Sequence, residues 1–221
     1  MSKKIFLTGA SRGIGKNIKQ YFLEKGHDVY SPPREELDLS DTASVKDFID
    51  SNEYDADVVI NNASINTVET VSDFDPESFY KMMNVNFISP VMITNSFIEN
   101  SISCGKGISI LNFGSIRMTD IKKGRFHYTM SKTCMDTYTK YVVHETENNN
   151  IICNTISPGY VNTDMLSRNN SDEKLKQMLG TVPLGRFADP MEIAKLCYFL
   201  CIDNTYINGQ NIIVDGGRLC K

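Results

Sequence analysis

Ile5-Phe6-Leu7-Thr8-Gly9-Ala10-Ser11-Arg12-Gly13-Ile14-Gly15 is the stretch on which the fold turns. Three apolar residues stop at Thr8-Gly9, as a short buried strand does. From Gly13 the period changes. Ile14, Ile18, Phe22 and Leu23 recur on one side of a helix as far as Glu24, and Gly26 ends it. A strand that runs through glycines into a helix offers unpaired backbone N–H groups and no side chain to hold an anion away, which suits a pyrophosphate. Glycine in a turn is weak evidence alone, because any tight turn uses it. Its place between a strand and a helix makes it a signal. Gly9, Ser11, Arg12, Gly13, Ile14 and Gly15 are therefore candidate cofactor contacts.

Outward from that loop, apolar runs and helical periods alternate. Val29-Tyr30, Val58-Val59-Ile60, the run 108–113, the run 151–156 and 210–214 read as strands. Residues 13–24, 42–50, 76–100 (interrupted near Pro90), 126–147 and 192–201 read as helices. Such alternation implies βαβ units and a parallel sheet with helices on both faces, a doubly wound Rossmann-type α/β fold. With 221 residues and no linker or repeat, a single domain over 1–221 is expected. Residues 162–189 form the longest stretch without a strand and are the candidate lid.

The composition excludes several classes. Net charge is −4 with no basic stripe, which argues against a nucleic-acid partner. The apolar runs are too short to span a bilayer, and Met1-Ser2-Lys3-Lys4 is followed by only three apolar residues, so no signal peptide is expected and the cytoplasm is the expected location. Cys104, Cys134, Cys153, Cys197, Cys201 and Cys220 form no C-x-x-C pair, and only three histidines accompany them, so no metal site is expected. Cys197 and Cys201 read as core packing.

Tyr128 and Lys132 lie four apart on a strong helix and share a face. A nearby ammonium favours a phenolate, which suits Tyr128 to proton transfer at a carbonyl or alcohol oxygen. Ser115 follows the strand 108–113 at its C-terminal end, where ligands of open α/β sheets collect. Its hydroxyl can hold a substrate oxygen. Ser109 lies mid-strand and His127 points off the Tyr128 face, so neither is given a role. The second strand ends in Ser31-Pro32-Pro33-Arg34, without the carboxylate that NAD binders place on the ribose. Arg34 and Arg12 are suited to a 2′-phosphate, so NADP(H) is expected, with NAD(H) the alternative.

These residues carry a resemblance. The pattern T-G-x-x-x-G-x-G at Thr8–Gly15 resembles the cofactor loop of short-chain dehydrogenases/reductases. Asn61-Asn62-Ala63-Ser64, Asn84-Val85-Asn86, Ser115 with Tyr128 and Lys132, the segment 157–163, Pro183-Leu184-Gly185-Arg186, and 208–217 resemble further segments of that family, in its order, and the last two its 3-oxoacyl-[acyl-carrier-protein] reductase-like branch. The resemblance implies hydride transfer between NAD(P)(H) and a small carbonyl or alcohol substrate. It makes Tyr128 the general acid/base and gives Lys132 a contact to the nicotinamide ribose. It makes Asn86 the holder of a water that links Lys132 to solvent. Asn62, Ala63, Ser64, Pro158, Gly159, Val161 and Thr163 then border the cofactor, and Asp38 and Leu39 reach the adenine. A homo-oligomer, dimer or tetramer, is expected on the same analogy.

The chain departs from the pattern between its second strand and Leu39, where too few residues remain for a helix and a third strand. The helix is expected to be missing and that strand vestigial or absent. Ser64 and Ser89 stand where the family commonly has glycine. Residues 117–125, with Lys122, Lys123 and Arg125, read either as a basic lip for an anionic substrate or, the favoured reading, as a solvated loop. Two other functions compete: an NADP(H) sensor without turnover, which has no need of the full set Asn86, Ser115, Tyr128 and Lys132, and a sugar-nucleotide reductase or epimerase, whose branch has different glycine spacing.

Overall fold

Strands β1 (Lys4–Leu7), β2 (Asp28–Tyr30), β3 (Val58–Asn61), β4 (Ile108–Phe113), β5 (Ile151–Pro158) and β6 (Asn211–Val214) form one parallel sheet in the order β2-β1-β3-β4-β5-β6. The computed structural model describes residues 1–51, 54–147, 149–163, 166 and 171–220. The chain winds outward from β1 in one direction, then returns to wind from β3 in the other. The register Ile5↔Val58 through Leu7↔Ile60 brings the loops after β1 and β3 side by side. Ligands of open α/β sheets bind in the crevice at such a reversal.

Successive residues of β1 feed opposite cores, because strand side chains alternate. Ile5 and Leu7 pack with Ile18 and Phe22 of α1 (Gly13–Glu24) and with Ile193, Ala194 and Cys197 of α7 (Pro190–Tyr198). Phe6 packs with Val45 and Phe48 of α2 (Thr42–Ser51), Ile93 and Phe97 of α4 (Ser89–Ser103), and Val142 of α5 (Phe126–Glu145). Burial on both faces explains why β1 and β3 read as continuous apolar runs rather than as alternation. Cys197 and Cys201 lie in the first core, as their spacing predicts.

No helix or strand forms between β2 and α2, so β2 is the edge of the sheet. The shortened link is tied down instead: Ser89 Oγ donates to Leu39 O at 2.8 Å, and Asn84 Nδ2 donates to Ser40 O at 3.1 Å. The interruption expected near Pro90 takes a specific form. Helix α3 (Pro76–Met83) runs into a π-helical turn, Asn84–Ile88, before α4 begins with Pro90 in its first turn. Single π turns inside helices occur often at functional sites. The last helix begins earlier than its apolar period suggests. Asp189 and Glu192 form a capping box and Pro190 occupies the first turn, and a π turn, Phe199–Asp203, follows α7. Part of the expected lid is the helix α6 (Asp172–Leu179); residues 164, 165 and 167–170 lie outside the described residues. No helix among the described residues is long and apolar enough to cross a membrane.

Candidate active site

A cleft of about 600 Å³ opens at the reversal of the sheet, between the glycine loop, the link after β2 and the ends of β3, β4 and β5. Gly9 and Gly13 have φ of 73° and 55°, which only glycine adopts without strain. A Cβ on Gly15 would lie 2.1 Å from Gly9 O, and one on Gly9 would lie 2.7 Å from Ala63 Cα. Asn62 closes this contact, its Nδ2 donating to Thr8 O at 3.0 Å and to Gly9 O at 2.9 Å, while Ala63 N donates to Thr8 Oγ1 at 3.1 Å. These bonds occupy loop carbonyls. The N–H groups opening α1 stay free of side chains, because Arg12 at the N-cap makes no capping bond and the first turn holds no acid. An uncapped helix start without carboxylates is a site for an anion. The residues present therefore fit the pyrophosphate of a dinucleotide.

At the far end of the cleft lie Arg34, Asp38 and Leu39, together with Lys19 and Lys81, which the sequence reading passed over. Arg34 lies at the cleft, but its guanidinium is held by Asp38, Nη2 at 2.9 Å and Nε at 3.2 Å. Hydrogen bonds from Ser40 and then from Arg34 keep the Asp38 carboxyl below its ordinary value. Pro158 and Thr163 line the cleft with Ser64; Gly159 and Val161 do not. Gly159 lets the loop after β5 pass Asp215, where a Cβ would come within 2.7 Å of Asp215 Cα, and Val161 is buried in a bridge to Ala188.

Ser115 and Tyr128 meet. Ser115 caps a short 3-10 turn, Ile116–Met118; its Oγ accepts from Arg117 N at 3.2 Å and lies next to the Tyr128 phenol, which it pulls down against burial. Lys132 is buried beneath them, and its Nζ donates to Phe113 O at 2.8 Å. The Asn86 side chain, in the π turn, clasps Ile65: Oδ1 accepts from Ile65 N and Nδ2 donates to Ile65 O, both at 2.9 Å. Nδ2 also donates to Ser131 Oγ at 3.0 Å, beside Lys132 in the chain. A buried polar ladder seats α5 on the sheet. Asn61 Nδ2 donates to Thr94 Oγ1 and to Asn112 Oδ1 at 2.8 Å, and Asn112 Nδ2 donates to Thr139 Oγ1 at 2.9 Å. Asparagines at the ends of apolar strands were the available signal for it.

Lys132 lies close to the phenol, its Nζ 5.7 Å from the Tyr128 ring centroid. Burial holds Tyr128 above its ordinary value, opposed by Ser115 and by the charges of Arg117 and Arg125. Burial also pulls Lys132 down to about 7. One expectation is corrected: 117–125 is not a solvated loop throughout. Arg117 is buried, pairs with Asp120, and donates to Tyr160 Oη at 3.0 Å. His127 packs among Phe74, Phe79 and Phe126, with Nδ1 3.2 Å from the Glu69 carboxylate.

This geometry has close counterparts. A family model described as enoyl-(acyl carrier protein) reductase matches residues 31–218. The 3-oxoacyl-[acyl-carrier-protein] reductase of Chlamydia pneumoniae is 30% identical, over 98% of this chain and 97% of its own. The structure of 4-hydroxyisoleucine dehydrogenase complexed with NADH superimposes with a TM-score of 0.92 at 24% identity, over 100% of both chains. An Agrobacterium tumefaciens chain proposed to be a 2-deoxy-D-gluconate 3-dehydrogenase, with NADP bound, superimposes with a TM-score of 0.88 at 23% identity, over 99% of this chain and 97% of the other. The chain belongs to the short-chain dehydrogenase/reductase family, NAD(P)-dependent oxidoreductases of CH–OH and C=O groups, on its 3-oxoacyl-[acyl-carrier-protein] reductase-like branch.

Proposed function

We propose that this chain interconverts a carbonyl and an alcohol with NADP(H), through Tyr128, Ser115, Lys132 and Asn86. The observation that carries the proposal is Tyr128, with Ser115 beside its phenol, lining with Lys132 the same cleft as the glycine loop. The bound nicotinamide supplies the hydride, or accepts it in the reverse direction. In reduction the Tyr128 hydroxyl gives its proton to the substrate oxygen; in oxidation the phenolate takes it back. Ser115 Oγ holds that oxygen in place. Arg117 and Arg125 hold positive charge near the phenol and offset its burial. Lys132, when protonated, adds to that field from beneath. Asn86 keeps α5 and the segment after β3 in register around it.

The glycine loop with Asn62 and Ala63 would hold the pyrophosphate, and Ser64, Pro158 and Thr163 would flank the nicotinamide end. NADP(H) is favoured because Arg12, Lys19 and Arg34 surround the cleft without a free carboxylate to meet a ribose hydroxyl. We further propose that residues 1–221 act as one domain in the cytoplasm. A homo-oligomer is proposed through the groove between α4 and α5, where exposed Tyr141 presents apolar surface.

The test is consumption of reduced cofactor with a panel of carbonyls, for the natural chain and for Tyr128→Phe. Loss of the acid/base should lower kcat by about 10²–10⁴, while cofactor binding, followed by fluorescence, persists. Intact binding with no turnover of any carbonyl would instead mark a sensor. A clear preference for NAD(H) in the same titration would overturn the cofactor assignment.

A further inference from the structure

Beyond Tyr128, Arg117 and Arg218 draw together around Tyr160, with Lys122 nearby. The Arg117 and Arg218 guanidiniums lie 5.5 and 5.0 Å from the Tyr160 ring centroid. Arg117 also donates to the Tyr160 hydroxyl. Lys122 feels the charges of Arg117, Arg125 and Lys174 and lies near the same phenol. Arg125, at the N-cap of α5, reaches back to the cofactor cleft, where its Nη1 donates to Asn66 Oδ1 at 2.6 Å and to Thr67 O at 3.3 Å.

The charges of this group do not balance. Asp120 pairs with Arg117 and with Arg218, and among the described residues neither Lys122 nor Arg125 forms an ion pair. The Nε of Arg218 is buried without a hydrogen-bond partner. Gathering like charges out of water costs free energy, and a buried donor left unpaired costs more. The cost registers locally: burial, then the neighbouring cations, holds Lys122 below its ordinary value, and burial followed by Arg117 does the same to Arg125. A fold that keeps partly desolvated cations beside a reacting hydroxyl has a use for them, and an anion is the ligand that offsets the unpaired charges of Lys122 and Arg125.

We propose that the substrate carries an anionic group, a carboxylate or a phosphate ester, seated on Arg125, Lys122 and Arg117 while its carbonyl oxygen rests on Ser115 and Tyr128. The inference rests on the Tyr128 chemistry above and names its substrate class. The redox step is unchanged. The C=O π bond breaks, hydride from the reduced cofactor forms the new C–H bond, and the Tyr128 proton forms the O–H bond. Arg125 and Lys122 act on binding and specificity. Arg117 also carries the backbone N–H that orients Ser115.

Matched probes test this. 4-Oxopentanoate is compared with its methyl ester, and dihydroxyacetone phosphate with dihydroxyacetone, in the natural chain, Lys122→Gln and Arg125→Gln. In at least one pair the anionic member should show a kcat/KM higher by about ten-fold or more, the worth of a charge-assisted hydrogen bond. Which pair shows it separates carboxylate from phosphate. Each variant should shrink that ratio by about as much. The Lys122 side chain makes no hydrogen bond among the described residues, so its variant guards against a merely structural effect. Equal or better use of the neutral members overturns the proposal, as does a ratio that neither variant changes. The melting temperature with cofactor and each probe gives an independent readout. Stabilisation by an anionic probe that weakens in both variants, without turnover of any carbonyl, supports the anion site and tells against the redox reading. No stabilisation and no turnover with either anion overturns the site.

Discussion

At one end of the cleft, Gly9, Gly13 and Gly15 bring bare backbone against Ala63 and leave the start of α1 uncapped. Beyond Tyr128, outside the residues that line the cleft, Arg117, Lys122 and Arg125 bring charged side chains towards Tyr128 and Tyr160. The two regions solve different problems. A dinucleotide pyrophosphate can be held by N–H groups that every residue possesses, so its site demands small residues in one short stretch. A ligand peculiar to one enzyme must be held by particular side chains, and these come from segments far apart in the chain. Tyr128 lines the glycine-walled cleft, on the helix whose N-cap is Arg125.

The contrast can be broken at its backbone end first. Gly15→Ala puts a Cβ where Gly9 O already lies, and both are main chain, so the loop must move. Displacements of about 1 Å can cost on the order of 10²-fold, so cofactor affinity should fall by that order in a fluorescence titration. The substrate end should keep its preference between charged and neutral probes at saturating cofactor. A variant that binds cofactor normally would show that the close approach is dispensable.

Lys132 sharpens the comparison through pH. Its folded value of about 7 lies below the ordinary 10.5. Below pH 7 the folded state bears the full cost of a buried ammonium. Between 7 and 10.5 the folded protein has shed a proton that the unfolded chain still holds, so stability rises with pH across that window. Relative to Lys132→Met, denaturant unfolding should show a slope of about 1.4 kcal/mol per pH unit there. Parallel profiles for the two proteins would mean that water or an unseen partner keeps the ammonium charged.

The smallest effect belongs to Arg34. Its side chain is 71% exposed and already paired with Asp38. Arg34→Ala should weaken NADP(H) by about ten-fold at most and fade with added salt, since an exposed charge pair is worth little. NAD(H) affinity should change less. Equal losses for both cofactors would remove Arg34 from any 2′-phosphate site and leave that role to Arg12 or Lys19.

Much of the fold was legible beforehand. The apolar runs at 5–7, 58–60 and 108–113 became β1, β3 and β4, because strands buried on both faces leave no room for alternation. The shortage of residues before Leu39 correctly implied the loss of a helix and a strand. The π turn at Asn84–Ile88 was not legible beyond an interruption, because it depends on how α3 and α4 are seated. In the site, Ser115 and Tyr128 were named from the residues, and the fold brings them next to each other. The depth of Lys132 was not legible: spacing along a helix places it on the Tyr128 face but says nothing of how deeply it is buried.

The sequence by itself determined the parallel sheet and the glycine loop and named the candidate reacting side chains, since these follow from periodicity, backbone freedom and spacing within single segments. Only the tertiary structure decided that Arg117 is buried, that Asp120 is shared between Arg117 and Arg218, and that Lys122 and Arg125 stand without ion pairs among the described residues. Desolvation and charge balance are sums over neighbours brought together from residues as distant as 117, 160 and 218. No local pattern contains them.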